Sequence, residues 1–402
     1  MPSLFPSRFF FLYSVLCLAL ISGCATDEPF LLTGQPDPDP EVDPVEATFG
    51  GRLNISDLFN YASQPIPDYI NRDNTGQNAI TDARATLGRV LFYDRQLSNI
   101  GTISCGSCHR QELAFGDNSI ASVGVAGTTN RHSMRLINAR FGDESRYFWD
   151  KRANSLEEQT TQPIEDHIEM GFSGTNGAPS INDLLDRLNA LDYYGPLFRE
   201  AYGSDQVTEP RMQEALAQFI RSIQSFDSKF DEGRAQVRNG GERFPNFTDE
   251  ENLGRELFGG RPQVANSERV GGGLGCGSCH QGPEFSIDPN SQNNGVTAAI
   301  GGGMPDLSIT RSPTLRDLFR PDGTENGPFM HNGAFRTIND VLDHYNAIPA
   351  SNQQLDRRLS FAGQPQRLNL TQQERQAVIA FLKTLTGSAV YTDERWSNPF
   401  EE

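Results

Sequence analysis

The pentapeptide Cys105-Gly-Ser-Cys-His109 returns unchanged later in the chain as Cys276-Gly-Ser-Cys-His280. Each copy separates two thiols by two residues and places an imidazole directly after the second thiol, which is the C-x-x-C-H pattern of c-type haem attachment. The thiols would add to the vinyl groups of the porphyrin, and the neighbouring histidine would then reach the iron. The repeated motif therefore predicts two covalent haem c sites.

The remaining cysteines help to decide between haem and other cysteine chemistry. The chain has six cysteines, and outside the two motifs only Cys17 and Cys24 are left. A thioredoxin-like dithiol needs no histidine after its second cysteine, and a structural zinc site needs four ligands in one place. Two identical motifs without a spare cysteine favour haem. The predicted attachment residues are Cys105, Cys108, Cys276 and Cys279, and the predicted iron ligands are His109 and His280.

The first residues have the composition of an export signal. Arg8 precedes an apolar stretch, residues 9–21, which is shorter than the roughly 20 residues needed to cross a bilayer. The stretch ends in Ile21-Ser-Gly-Cys24, which resembles the cleavage box of a bacterial lipoprotein. The alternative is an ordinary signal peptide with a chance cysteine. We expect residues 1–23 to be a signal peptide and Cys24 to be lipidated.

Residues 24–50 are rich in proline and carboxylates and contain no lysine or arginine. Such a segment cannot bury enough apolar surface to collapse, so we expect a disordered spacer. With a lipid anchor at Cys24, the segment predicts a periplasmic protein tethered to the membrane. Ala25 after the cysteine favours the outer membrane.

The charge balance excludes one class of partner. The chain carries 34 Lys+Arg against 52 Asp+Glu, for a formal net charge of −18. Little of this surface could neutralise a phosphate backbone, so we expect no nucleic-acid binding. The excess of acid suits a basic soluble partner at low salt.

Local patterns predict helices joined by long loops. Capping boxes at Thr248–Glu251 and Thr371–Glu374 each open a helix. Apolar residues at helical spacing predict a further helix within 211–230, and a shorter one at 337–345. Strand-like alternation is scarce, whereas the chain has 38 glycines and 24 prolines. The fold class predicted is mainly α, with two cytochrome c-like haem domains and long loops.

The sequence around the motifs resembles the bacterial di-haem cytochrome c peroxidase and MauG family over about residues 80–386. The matching segments are Leu87-Gly-Arg-Val-Leu-Phe-Tyr-Asp94, Phe148-Trp-Asp-Lys-Arg152, Ser155-Leu-Glu-Glu-Gln159 and Pro328-Phe-Met-His-Asn-Gly333. The resemblance implies an N-terminal peroxidatic haem domain, assigned to 51–240, and a C-terminal electron-transfer haem domain, assigned to 241–402.

The resemblance also implies roles for individual residues. The family's distal residues correspond to Gln159, Pro163 and Glu169, with Glu169 as the acid/base that moves a proton between the peroxide oxygens. Trp149 corresponds to the tryptophan that lies between the two haems and relays electrons. The alternative, compatible with a relay, is a large aromatic side chain that fills the interface.

Two departures from the family pattern concern the first haem and the calcium site between the domains. Val125 stands where typical family peroxidases have a histidine that caps the iron at rest. Because valine cannot bind iron, we expect the first haem to have an open coordination position. His132 replaces a family asparagine that helps to bind calcium between the domains, which puts this calcium site in doubt. Asn326 and Pro328 would remain as carbonyl ligands.

A third departure concerns the sixth ligand of the second haem. The position that holds methionine in ordinary family peroxidases falls on Tyr345. Tyrosine is the ligand in MauG-type enzymes, and an anionic phenolate favours ferric and higher states. Met330 and Met304 are the alternative ligands, in which case Tyr345 only packs.

Three functions follow from these features. The first is reduction of hydrogen peroxide at the N-terminal haem, with electrons relayed through the C-terminal haem from an external donor such as a small cytochrome c. The second is MauG-like long-range oxidation of a partner protein, which the residues at 125 and 345 favour. The third is a non-catalytic di-haem electron-transfer cytochrome, which would need a closed distal face at the first haem.

Overall fold

A computed structural model of the chain describes residues 43–349 and 352–400. The predicted signal peptide at 1–23, the lipidation site at Cys24 and the spacer up to residue 42 lie outside the described residues. Within them, no helix combines the length and the apolar character that a membrane crossing requires.

Helices joined by long loops dominate the described part of the chain, and the mainly α fold class is confirmed. The α-helices are α1 (Pro44–Phe49), α2 (Asp82–Tyr93), α3 (Cys105–Cys108), α4 (Leu156–Glu165), α5 (Ile181–Asn189), α6 (Tyr194–Tyr202), α7 (Glu209–Ser222), α8 (Lys229–Ala235), α9 (Asp249–Gly259), α10 (Ile338–Asn346) and α11 (Gln372–Lys383). Three antiparallel two-stranded hairpins pair β1 (Pro262–Ala265) with β2 (Glu268–Gly272), β3 (His280–Gln281) with β4 (Ser286–Ile287), and β5 (Ser360–Phe361) with β6 (Gln364–Pro365).

The spacer prediction is wrong for its last residues, because α1 is an ordered helix with a buried face. The Asp43 carboxylate caps the helix by accepting a hydrogen bond from the Val45 amide at 2.9 Å. Val45 and Phe49 are buried, and the Phe49 ring packs edge-on against Tyr193 at 5.5 Å. The prediction relied on the proline-rich composition and overlooked Val45 and Phe49, two apolar side chains at helical spacing. Their burial supplies the apolar contact that the spacer was expected to lack.

Apolar residues form two separate clusters, one around each C-x-x-C-H motif. The first cluster draws mainly on α2 and α4–α7, and the second on α8–α11. In each cluster one helix pair crosses closely at a glycine. A Cβ at Gly88 of α2 would lie 2.0 Å from the Ala215 carbonyl oxygen of α7, and one at Gly254 of α9 would lie 1.8 Å from the Ala377 carbonyl oxygen of α11. Any larger residue would force these helices apart.

The same local arrangement follows both helix pairs. Asn138 and Asp317 have left-handed backbone angles, with φ of 54° and 57°. The Asn138 side-chain oxygen accepts from the Ser225 amide at 2.8 Å, just beyond α7. The Asp317 carboxylate accepts from the Gly387 amide at 2.9 Å, just beyond α11. The two halves of the described chain are therefore built on one repeated pattern, of which the cysteine motifs are the part most visible in the sequence.

Three of the predicted helices form with their expected starts. Thr248 and Thr371 cap α9 and α11 in complete capping boxes, and Thr337 does the same for α10. The helix predicted within 211–230 is too long at its end, because α7 stops at Ser222. Beyond it the chain is extended and turns to meet Asn138.

The end of the described chain returns to the first cluster. Val390 and Trp396 are buried there among residues of α2 and α7. The Tyr61 hydroxyl donates to the Arg395 carbonyl at 2.6 Å, and the Arg89 Nε donates to the Ser397 carbonyl at 2.6 Å. Residues 389–400 thus pack on the half that holds the first motif, and the domain division at residue 240 stays a prediction.

Candidate haem sites

The first motif lies on a short helical turn. Its two cysteines are the first and last residues of α3, and the turn is capped by Ser104, whose amide donates to the Ser107 hydroxyl at 3.0 Å. His109 follows directly, and its Nδ1 lies 3.2 Å from the Phe115 carbonyl oxygen. A histidine that donates from Nδ1 to a carbonyl keeps Nε2 as the free lone pair, which is the tautomer a metal ligand needs.

A cavity of about 700 Å³ opens beside the first motif. The motif residues that line it are Cys105, Cys108 and His109, and the predicted distal residues that line it are Gln159, Pro163 and Glu169. Residues widely spaced in the sequence are therefore brought to one space. Their joint presence fits a covalently attached haem with a side facing polar residues.

Helix α4 positions two of the distal residues. The Ser155 hydroxyl caps its start by accepting from the Glu158 amide at 3.1 Å. Gln159 and Pro163 are one turn apart, so both project from the same face towards the cavity. Pro163 has no N–H, and this leaves the Gln159 carbonyl without its usual helical partner.

Glu169 is half-buried in the wall of the same cavity. The pKa of its carboxyl is raised to about 7, mainly by burial and also by the nearby Asp166, while the Arg152 guanidinium opposes the change. A carboxyl whose pKa lies near neutral pH can both take and return a proton. Its ionisation is therefore suited to acid/base chemistry in this cavity.

The loop that contains Val125 packs directly on the Glu169 backbone. The Val125 amide donates to the Glu169 carbonyl at 3.0 Å, and the next amide donates to the Ile168 carbonyl at 3.1 Å. Gly124 allows this approach, because a Cβ there would lie 2.1 Å from the Ile168 carbonyl oxygen. Gly124 of this loop lines the cavity together with Thr128 and Thr129, whereas Val125 does not line it.

The second motif lies on a 3₁₀ turn followed by a hairpin. The turn spans Cys276–Ser278, and His280 opens β3, where it pairs with Ile287 of β4. Burial lowers the pKa of His280 to about 4, with the Phe285 carbonyl opposing. A neutral imidazole is the form that binds a metal. A second cavity, of about 170 Å³, is lined by Cys276 and His280 together with apolar side chains.

Tyr345 and Met330 both line the second cavity, and a single amide contacts the two of them. The Asn294 Nδ2 lies 3.1 Å from the Tyr345 hydroxyl and 3.5 Å from the Met330 sulfur. Burial raises the pKa of Tyr345 above its usual range. Met304 is 88% exposed, and a side chain in solvent is excluded as a ligand inside this cavity. Two candidate ligands therefore remain at one place.

Trp149 lies in the wall shared by the two cavities and lines both of them. Its indole Nε1 donates to the His132 carbonyl at 2.8 Å. Its ring meets the His331 ring edge-on, with centroids 6.3 Å apart. One aromatic side chain thus spans the space between the two candidate haem sites. The hydrogen bond and the edge-on contact fix its orientation.

Asn326 and Pro328, predicted as calcium ligands, line the second cavity, and Asn326 contacts the partly buried Arg135. The Asn326 carbonyl accepts from Arg135 Nη1 at 3.3 Å, and its side-chain Nδ2 donates to the Leu113 and Asp317 carbonyls, both at 3.1 Å. A guanidinium at this position repels a divalent cation. Throughout the described residues no three His, Cys, Asp or Glu side chains form a metal-binding group. The Arg135 contact at the Asn326 carbonyl therefore argues against calcium at this position, and the calcium site stays a prediction.

Arg135 and Arg311 were not singled out in the sequence as functional residues. Both are partly buried arginines that line the two cavities. The available signal was the similarity of Met134-Arg-Leu-Ile-Asn138 to Pro313-Thr-Leu-Arg-Asp317, which places Arg135 opposite Thr314 in the repeated pattern. Aligning the two halves would have identified Arg135 as a charged residue at a position where the second half has threonine.

Comparison with known proteins agrees with this geometry. A family model described as di-haem cytochrome c peroxidase matches residues 82–238. Methylamine utilization protein MauG from Methylorubrum extorquens is 30% identical over 319 residues, which cover 77% of this chain and 79% of that protein. The chain belongs to the di-haem cytochrome c peroxidase and MauG family. Family membership makes it a peroxidase-type oxidoreductase and implies two haem c groups.

Other relatives span both branches of the di-haem peroxidase and MauG family. Cytochrome c551 peroxidase from Nitrosomonas europaea is 28% identical over 323 residues, covering 75% of this chain and 80% of that protein. A solved MauG-like protein associated with microbial copper homeostasis superposes with a TM-score of 0.64 at 26% identity, covering 84% of this chain and 99% of that one. Both peroxidases and MauG proteins are therefore among the relatives.

Proposed function

We propose that the protein reduces hydrogen peroxide at the cavity beside His109, with electrons delivered through the site beside His280. The observation that carries this proposal is the half-buried Glu169 carboxyl, whose pKa is raised to about 7 and which lines the first cavity together with Gln159. An electron-transfer cytochrome has no need of a tuned proton-transfer group beside its haem.

The reaction consumes one peroxide, two electrons and two protons and releases two waters. A haem held by Cys105, Cys108 and His109 would supply the redox chemistry that passes two electrons from the external donor to the O–O bond of the peroxide. The chain supplies the proton handling. Ionised Glu169 would take a proton from the peroxide and return it to the oxygen that leaves as water. The Gln159 amide, on the same cavity wall, donates a hydrogen bond that orients the peroxide.

Electrons would pass from the second site to the first past Trp149. Its ring lines both cavities and contacts His331. The external donor would be a small cytochrome c, and the net charge of −18 suits a donor with a basic docking face. We place the protein in the periplasm, held to the outer membrane by lipidated Cys24.

MauG-like oxidation of a partner protein is the second candidate function. The specific observation in its favour is the pair of departures already described, Val125 in the distal loop and Tyr345 in the second cavity. A valine would leave the first iron uncapped at rest, and a phenolate ligand from Tyr345 would favour higher oxidation states of the second iron. The second candidate uses the same two sites and the same Glu169.

Steady-state peroxide consumption tests the proposal. Holoprotein is given hydrogen peroxide with a reduced small cytochrome c or with a small-molecule electron donor. We expect one peroxide to be consumed for every two electrons, and ferric high-spin signals at rest from the open first site. Two low-spin haems, with optical bands unchanged by peroxide, would contradict the peroxidase proposal.

Replacing Tyr345 by phenylalanine should change the optical spectrum of the second haem, because it removes the oxygen that is the predicted sixth ligand. The Met330→Leu variant is the matched comparison, because both side chains line the cavity and contact Asn294. We expect a spectral change in Tyr345→Phe and none in Met330→Leu. The reverse result would assign the ligand to Met330.

A further inference from the structure

Two positive charges lie in the wall between the cavities, on side chains that are partly buried and whose Nε atoms are inaccessible to solvent. Arg135 and Arg311 both line the first and the second cavity. They come from different halves of the chain, Arg135 just before Asn138 and Arg311 just before Asp317. The wall therefore carries two guanidinium groups beside Trp149.

Neither guanidinium has a carboxylate partner among the described residues. Arg135 donates only to two carbonyls, of Asn326 at 3.3 Å and of Thr314 at 3.5 Å. Arg311 Nη1 meets the Met134 sulfur at 2.8 Å, and its guanidinium lies over the Tyr147 ring at 5.0 Å. In both residues the Nε–H is buried without a hydrogen-bond acceptor. The donors therefore remain largely unsatisfied.

Of the four arginines that are fully buried in the described chain, three have an acidic partner, whereas the fourth, Arg89, bonds to Ser397. Arg316, Arg221 and Arg269 each form an ion pair with an acidic side chain, namely Asp231, Glu157 and Glu374. Burial lowers the pKa of Arg311, and the acidic residue that opposes this change is Glu144, but its carboxylate is already paired with Lys151 at 2.6 Å. The acid closest in effect to Arg135 is Asp317, which accepts instead from Gly387 and Tyr391.

A buried charge without a partner is costly, and proteins pair such charges or bind an ion there. The two arginines face spaces in which family membership places two haems, and each haem carries two propionate carboxylates. Arginine binds carboxylates through two parallel N–H groups, which matches the free donors. Haem propionates could therefore be the carboxylate partners that the two arginines lack within the chain.

We propose that Arg135 and Arg311 are the anchoring residues for haem propionates, and that they form one cationic wall shared by both sites. The proposal rests on the two haems of the proposed function. The wall also holds the position where the family resemblance implied calcium, so that fixed arginine charge takes the place of a bound cation between the halves.

A fixed positive charge beside a haem disfavours the ferric state, because oxidation adds a positive charge. The cationic wall should therefore raise the reduction potentials of both haems. Since Arg135 and Arg311 line both cavities, each substitution should act on two sites at once. A residue that merely fills space would not produce this paired effect.

Spectroelectrochemical titration of the holoprotein tests the proposal. Arg311→Met and Arg135→Met are each expected to lower both midpoint potentials, and the double variant to lower them further, while Arg311→Lys keeps potentials close to those of the parent. Arg89→Met is the matched control, because Arg89 is buried without an acidic partner but lines neither cavity. Its potentials should not change.

Two outcomes would overturn the proposal. The first is unchanged potentials in both methionine variants, and the second is an equal fall in the Arg89→Met control. If Arg311→Met does not accumulate, Arg311→Gln replaces it, with the same expectation of lower potentials. A pyridine haemochromogen assay counts the haems in every variant. Fewer than two haems in the parent would refute the proposed function itself, which separates that failure from a failure of the anchoring role.

Discussion

Glu169→Gln is expected to lower peroxide turnover by about 100-fold or more with both haems retained, because general acid–base groups contribute roughly 10²–10⁴-fold. Glutamine keeps the size and the hydrogen-bonding of the side chain but cannot exchange a proton. Burial in the first cavity is what brings the pKa of Glu169 to about 7. The measurement is steady-state peroxide consumption, normalised to haem content.

The pH dependence gives a second signature of the same residue. The base must be ionised to take the peroxide proton, so parent turnover should fall as pH drops through about 7, the pKa of Glu169. The Gln variant should lack this inflection. Folding raises the pKa of Glu169, so the folded state binds this proton more tightly, and the parent loses stability as pH rises from the ordinary carboxyl range towards 7. The variant should show a flatter stability profile.

Glu165→Gln is the control for both measurements. Glu165 ends α4, is exposed and does not line the first cavity. We expect parent-like turnover and a parent-like inflection in this variant. Equal turnover in Glu169→Gln and the parent would remove the acid/base role and leave the cavity without an identified proton carrier.

Arg316→Met is expected to destabilise the holoprotein by about 3–5 kcal/mol, the usual cost of breaking a buried ion pair by removing one partner. The Arg316 guanidinium is fully buried and contacts the Asp231 carboxylate at 2.8 and 2.9 Å. Its Nε also lies 3.2 Å from the Glu284 carboxylate. Removal would leave Asp231 charged and buried, with only hydroxyl and amide donors. The measurement is the denaturant midpoint of the holoprotein.

The matched comparison is an arginine in an exposed ion pair. Arg243 pairs with Asp249, whose side chain is 99% exposed. Arg243→Met should cost no more than about 1 kcal/mol, because solvent screens such pairs. A similar small loss in Arg316→Met would show that the buried network contributes little to stability. Burial also raises the pKa of Glu284 to about 8, so this carboxyl can be neutral when the arginine is absent.

Features encoded over a few residues could be predicted from the sequence. The haem motifs need five consecutive residues, and the starts of α9 and α11 need only a threonine and the glutamate three residues later. The distal set was predicted through family resemblance, and the structure gathers Gln159, Pro163 and Glu169 at one cavity. Their catalytic roles stay predictions until the variants are measured.

Features set by contacts between distant segments could not be predicted. Helix α7 ends at Ser222 because Asn138, far away in the sequence, bonds the residues beyond it. The pairing state of Arg135 and Arg311 depends on which acids the fold leaves near them. The sequence gives the number of arginines but does not show which of them lack an acidic partner in the fold.

The return of residues 389–400 to the first cluster bears on the order of assembly during synthesis. Residues of the second cluster lie between 230 and 385, whereas the first cluster also needs Val390 and Trp396. In a protein exported as we propose, the first half would therefore close last, because residues that complete its core reach the periplasm after the second half. Thioether formation at Cys105 and Cys108 can thus precede closure, while the vinyl groups still have free access.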